Sequence, residues 1–332
     1  MSDVTIYAPS PILTVTVEDH PSGNEVHVHA GGQGVWQARM LRRLGMEVTL
    51  CAVLSGETGG VLRHLIEDEG LRLVSVAREG RGAAYVHDRR AGERREIVAE
   101  QGDPLGRHEL DELYSVMIRE GLETKLVVLS GPAGDDVLPA ETYRRLASDL
   151  RTVGARVVVD LAGDRMDAAV AGGVDVLKVS HEELLDAGLI SEPTEEEICA
   201  AMRSLRSRGA ECVIVTRASD PSLFHDEHGV LEVTAPQLET TDTHGAGDSL
   251  TAGIVAGMSR GQSAREAVIL GAAAGALNVT RHGLGTADAG AVAKLQELIT
   301  TRIVDDGAEE RAEGRSNRES TDDADTRAEG DE

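Results

Sequence analysis

The sequence predicts a doubly wound α/β fold, a mostly parallel sheet with helices on both faces, to which a small β-lid is attached. Three observations predict it. Short runs of Val, Leu and Ile alternate with amphipathic helical stretches along most of the chain. The runs are almost continuously apolar, as strands covered on both faces are. Residues 4–29 and 83–99 break the rhythm with short β-type runs, some alternating polar and apolar, and no helix between them.

Taken in order, TIYA, ILTVTVED and EVHVHA supply the first part of the lid, and AGGQGVWQARMLRRLG then gives a Gly-rich turn opening an amphipathic helix. MEVTLCAVL reads as a buried strand and TGGVLRHLIEDEG as its crossover helix, before AAYVHD and RREIVA return to the lid. The alternation resumes with KLVVLSG and PAETYRRLASDLRTVG, then ARVVVDLAG, VDVLKVS with HEELLDAG, and ECVIVT. Strand, helix, strand in this repetition is the pattern of βαβ crossovers. From Asp305 the chain reads DDGAEERAEGRSNRESTDDADTRAEGDE, with almost nothing apolar to bury. We expect one folded domain over residues 1–304 and an acidic disordered tail over 305–332.

Composition narrows the function classes. A formal charge of −25 with no Lys/Arg cluster argues against a nucleic-acid backbone as partner. No apolar run is long enough to span a membrane, and MSDVTIYAPS lacks the basic-then-apolar order of a signal peptide, so a cytoplasmic location is expected. The three cysteines, Cys51, Cys199 and Cys212, have neither the number nor the spacing for a disulfide framework or a zinc site. His27 and His29 alternate on one β-run but lack a third ligand, and are expected as strand residues.

The stretch TTDTHGAGDSLTAG, residues 240–253, carries the chemistry. Gly245, Ala246 and Gly247 precede Asp248 and a run of small helix-compatible residues. One reading is a tight turn with a carboxylate complementing a helix N-terminus. A sharper one is a turn that leaves bare backbone amides for a phosphate, with a carboxylate beside it to take a proton.

The order of AGGQGVWQARMLRRLG, VLSGETGG, VLSGPAGD, KVSHEEL and DTHGAGD resembles the ribokinase/PfkB family of carbohydrate kinases over roughly residues 4–300. Its nearest echo is the branch containing 1-phosphofructokinase and tagatose-6-phosphate kinase. The resemblance implies a ribokinase-like fold and transfer of the γ-phosphate of ATP, with Mg2+, to a hydroxyl of a sugar or sugar phosphate. By it, Asp248 is the base, and the amides around Gly245, Ala246 and Gly247 are the anion hole. Thr14, Gly31, Gly32, Gln33 and Trp36 fall at substrate positions, Thr216, Asp220 and Lys178 at nucleotide positions, and Glu183 in the shell of magnesium waters. The lid would exclude water from the transferable phosphate and could also form a homodimer surface.

The departures are equally specific. Ser10 and Thr14 stand where this branch has Asn and a substrate-binding Asp. Gln33 replaces a Lys and Trp36 an Asn of the first glycine motif, while Ala83 and Tyr85 replace an Arg and an Asn. These losses remove cations that would hold a phosphorylated sugar, so fructose 1-phosphate is not the expected acceptor. Ala218 and Pro221 replace two glycines of the nucleotide loop, and Val179 and Ser180 depart from Lys-Pro-Asn. Two rivals follow: a catalytically retired metabolite-binding relative, and a nucleoside kinase in which Trp36 or Tyr85 stacks on the base.

Overall fold

The first half of the chain, in a computed structural model describing residues 2–92, 94–132, 134, 137–239, 243–280 and 285–305, runs β1 (Val4–Tyr7), β2 (Ile12–His20), β3 (Gly23–Gly31), α1 (Gln33–Arg43), β4 (Val48–Ser55), α2 (Gly56–Asp68), β5 (Arg72–Arg78), β6 (Ala84–Asp88), β7 (Arg95–Glu100) and α3 (Arg107–Thr124). It continues with β8 (Leu126–Ser130), α4 (Glu141–Thr152), β9 (Arg156–Asp160), α5 (Gly163–Gly172), β10 (Val174–Ser180), α6 (His181–Asp186), α7 (Glu195–Ser207) and β11 (Ala210–Arg217). The last elements are β12 (Asp220–Asp226), β13 (Gly229–Thr234), α8 (Ala246–Ser259), α9 (Ala264–Asn278), α10 (Ala289–Gln296) and β14 (Thr300–Asp305).

The main sheet has the order β14-β13-β12-β11-β10-β9-β8-β1-β4-β5. It is parallel from β5 to β11, and β12 to β14 add an antiparallel edge. Neighbouring residues of one strand point to opposite faces, and the core divides accordingly. Ile6, Val128 and Val158 pack with α1, α2, α8, α9 and α10 on one face. Tyr7, Leu129 and Val159 pack with α3 to α7 on the other. The doubly wound architecture follows from strands apolar at every position.

A separate four-stranded sheet has the order β3-β2-β6-β7. Two boundaries differ from expectation. Val4–Tyr7, assigned to the lid from sequence, is β1 of the main sheet, hydrogen-bonded between β4 and β8. All four of its residues are buried, which no outer lid strand would allow. Asp305, placed in the tail, pairs with Val230 as the last residue of β14 and meets Arg203 at 3.5 Å. The rest of that tail lies outside the described residues.

α8 and α9 explain the small residues after Asp248. A Cβ on Gly253 would stand 2.6 Å from Gly271 Cα, so the two helices touch nearly backbone to backbone. All three cysteines are free thiols, with Cys51 and Cys199 buried. Among the described residues no helix is long and apolar enough to cross a membrane.

Candidate active site

The site lies outside the carboxyl ends of the parallel strands, near where β1 is followed by β4 on one side and by β8 on the other. Such a reversal of strand order opens a crevice in doubly wound sheets. Register places Ser130, Asp160 and Lys178 side by side on β8, β9 and β10. Asp160, 1 % exposed, accepts from Lys178 Nζ at 3.0 Å, Thr251 Oγ1 at 2.9 Å and Gln37 Nε2 at 3.0 Å. Both of its oxygens are therefore engaged.

α8 brings Asp248 to this row. Its N-cap is Gly245, in the left-handed region at φ 71°, where a side chain would be strained. Among the described residues no side chain caps the helix. The amide of Ala246 reaches back to Thr243 O at 3.4 Å, whereas those of Gly247 and Asp248 have no acceptor among the described residues. An uncapped N-terminus with free N–H groups is a ready anion site. Asp242, the first residue of the motif, lies outside the described residues.

Asp248 is 9 % exposed and accepts from Gln37 Nε2 at 3.4 Å through Oδ1. Burial, then the neighbouring Asp160, pushes its carboxyl up to about 8, against the pull of Lys178 and the Gln37 amide. A carboxyl raised toward neutrality by its surroundings suits a general base. Burial works against the charge of Lys178, but Asp160, Glu183 and Asp248 outweigh it and raise the ammonium above its ordinary range. Lys178, expected on the nucleotide side, thus stands beside Asp160 and Asp248, and a Cβ on Gly247 would lie 2.8 Å from its Nζ.

The substrate positions distribute between the lid and α1. Gln33 is not a cation but a tie, its Oε1 accepting from Gly131 N at 2.6 Å. Thr14 is buried in β2, and a Cβ on Gly31 would meet its Oγ1. Gly32, at φ 100°, begins α1. Thr14, Trp36 and Tyr85 line one cavity of about 540 Å³ with His29, His87, Arg89 and Arg94. Trp36 Nε1 is buried without a hydrogen-bond partner among the described residues. Burial, then Arg39, pushes His29 down to about 4, and the same lining carries Arg89, Arg94 and the carboxylate of Glu18, which lies 3.9 Å from Arg89.

On the nucleotide side, Thr216, next to last in β11, is in register with Ser180, and its carbonyl lies 3.3 Å from His181 Nδ1. Arg217 pairs with Asp220 across a two-residue turn. Ala218 takes φ 50° in that turn, one of two non-glycine residues with positive φ among those described. The loop thus keeps a glycine conformation after losing the glycine. Glu183 forms a capping box with Ser180, whose amide donates to Oε2 at 2.6 Å. Among the described residues no three His, Cys, Asp or Glu form a metal cluster. Asp160, Glu183 and Asp248 offer only oxygen donors at this end of the sheet, the hard-ligand chemistry that suits Mg2+.

Sequence reasoning missed Gln37, Ser130, Asp160, Thr251, Arg89 and Arg94. Asp160 had a signal, an acid closing the valine run ARVVVD at the carboxyl end of a predicted parallel strand. Gln37, Ser130 and Thr251 lie inside the stretches AGGQGVWQARMLRRLG, VLSGPAGD and TTDTHGAGDSLTAG, but their meeting depends on strand register, and Arg89 and Arg94 had no signal.

The family model for pfkB family carbohydrate kinases matches residues 2–289. Among curated proteins, the chain is 28% identical to 1-phosphofructokinase of Bacillus subtilis, over 78% of this chain and 84% of that protein. It is 30% identical to ATP-dependent 6-phosphofructokinase isozyme 2 of Mycobacterium tuberculosis, over 81% of this chain and 79% of that protein. The crystal structure of phosphofructokinase-2 from Escherichia coli in complex with potassium superposes with a TM-score of 0.77 at 25% identity, covering 90% of this chain and 99% of the other. Arabidopsis thaliana ribokinase complexed with ribose and ATP shares the fold, with a TM-score of 0.68 at 21% identity, over 90% of this chain and 99% of that one.

Proposed function

The chain belongs to the pfkB family of carbohydrate kinases, and from that premise we propose that it transfers the γ-phosphate of ATP to a hydroxyl of a phosphorylated sugar, with Asp248 as general base. The observation that carries this reading is the placement of Asp248, buried, raised toward neutrality and set in the first turn of an uncapped helix. The acceptor hydroxyl gives its proton to Asp248 as its oxygen bonds the γ-phosphorus, and the bond from that phosphorus to ADP breaks. The free amides of Gly247 and Asp248, with Lys178 beside them, stabilise charge on the moving phosphoryl oxygens. Thr216 and Asp220 flank the nucleotide, and Glu183 orients magnesium-bound water through the oxygen its cap does not use. Mg2+, when bound, neutralises charge on the phosphates. A retired relative would have no reason to keep this centre assembled.

The phosphorylated acceptor is supported by Arg89 and Arg94 in the lid cavity, in place of the cations lost at other motif positions. Arg94→Ala is expected to raise the KM for a sugar phosphate at least ~10-fold, the scale of one charge-assisted hydrogen bond, with KM for ATP unchanged. A coupled assay across free sugars, sugar phosphates, polyols and nucleosides tests the class. Turnover confined to free sugars would overturn it. Trp36 and Tyr85 on the same cavity favour a nucleoside as the second reading, recognised by turnover of nucleosides alone. The lid also exposes Val26, Val28, Ile97 and Val98, which supports a homodimer through this sheet. Val26→Asp with Ile97→Asp would give monomers by sedimentation; an unchanged mass would reject that interface.

A further inference from the structure

Gln37 is fully buried in α1. Its Nε2 donates to Asp160 Oδ2 at 3.0 Å and to Asp248 Oδ1 at 3.4 Å, while its Oε1 accepts from Ser130 Oγ at 2.5 Å. The neighbours fix the orientation of the amide, since two carboxylate oxygens require its NH2 end and a hydroxyl donor its oxygen. A primary amide has two N–H groups, so one nitrogen serves both acids. Asp160 also takes Lys178 and Thr251. Asp248 accepts from Gln37 alone among the described residues, and its Oδ2 is unclaimed.

We propose that Gln37 is a positioning residue for phosphotransfer: its amide bridges Asp160 and Asp248, fixes Oδ1 of the base and leaves Oδ2 to face the acceptor hydroxyl. The inference rests on the reading of Asp248 as the base. The charged groups that face Asp248 are Asp160 from β9, Lys178 from β10 and Glu183 from α6, while α1 contributes the neutral amide. Two of those three groups repel a carboxylate. A donor placed between two acids lets both be held close, and it favours the charged form of each. Without the bridge, Asp248 would turn freely and retain its proton to higher pH.

The test uses Gln37→Met, which keeps length and volume but removes both donors, beside Asp248→Asn and Tyr143→Phe. Tyr143 donates to Ser130 O at 2.9 Å, so its loss weakens the same strand end without touching Asp248 or Gln37. For Gln37→Met the expected result is a kcat at least ~10-fold lower, KM for ATP within about twofold, and an acid limb of the kcat–pH profile displaced to higher pH. Tyr143→Phe should lower the melting temperature with the limb unmoved. Gln37→Glu is the second variant should Gln37→Met fail to fold. It has one proton to share where the amide has two, and its limb is also expected on the alkaline side. A wild-type kcat and limb in either soluble variant, or a limb displaced equally by Tyr143→Phe, would overturn the inference. Activity retained by Asp248→Asn would instead overturn the base itself.

Discussion

Gly247→Ala separates a phosphate cradle from a simple helix start. An added Cβ would stand 2.8 Å from Lys178 Nζ and 3.1 Å from its Cε. The ammonium must retreat by about 0.6 Å to reach ordinary contact. Its retreat is opposed, because Nζ is 3.0 Å from Asp160 and the side chain is only 10% exposed. Sequence alone predicts neutral or higher stability, since Ala is favoured over Gly in helices by ~1 kcal/mol. Weakening a charge-assisted bond costs about 1.5 kcal/mol or more, which cancels that gain or slightly exceeds it. Stability should therefore change by no more than ~1–2 kcal/mol, a small shift in melting temperature for a chain of this size. Turnover should fall at least ~100-fold, the scale of losing one preorganised donor, because the methyl group and the displaced ammonium both disturb the phosphoryl site. Steady-state kinetics and thermal unfolding on the same preparation measure the pair. Wild-type turnover with raised stability would refute the cradle and leave only a helix start.

Four further outcomes follow. With Asp248 as the proposed base, the kcat/KM profile should rise with pH to a midpoint near 8, where burial pushes its carboxyl; a midpoint near 4 would contradict its burial. Stability linked to Asp248 is fully present below its unfolded pKa and lost as pH rises from ~4 through about 8, so the gain in stability of Asp248→Asn over wild type should grow across that window; a gain that does not vary with pH would contradict the raised carboxyl. Ala218→Gly relieves a left-handed alanine and should raise stability by ~0.5–1 kcal/mol and lower KM for ATP; a fall in melting temperature would show that the turn gains more from the methyl group than from relief of strain. Deleting residues 306–332 should leave melting temperature and turnover unchanged, as that segment has no apolar face to dock, whereas a cut before Asp305 shortens β14; a loss of several degrees from the shorter deletion would contradict this.

The alternation of strand and helix was readable because strands covered on both faces are apolar at every position, and helices with one buried face are not. β1 escaped because four residues are too few to show a period, and TIYA stands beside runs that do alternate. Gly245, Gly247 and Asp248 were readable because their geometry is local, a left-handed turn and a helix start. Asp160, Ser130 and Gln37 were not, because they meet through the register of β8, β9 and β10 and one face of α1. Arg89 and Arg94 escaped for a similar reason. The substrate positions that changed in the motifs suggested a lost phosphate site, while the cations that line the cavity come from the hairpin joining β6 to β7. Ala218 shows the converse: the glycine was lost from the sequence and its conformation kept by the two-residue turn.

Asp248, as the proposed base, takes the proton of the acceptor hydroxyl. The direct measurement is single-turnover phosphotransfer by Asp248→Asn with a sugar phosphate acceptor, alongside ATP affinity measured by calorimetry. The asparagine keeps the shape and still accepts from Gln37, but it cannot receive a proton. Phosphotransfer at least ~10³-fold slower than wild type, with ATP affinity within about threefold, is the expected result. Transfer within tenfold of wild type would show that the proton goes elsewhere and that the buried carboxylate is structural.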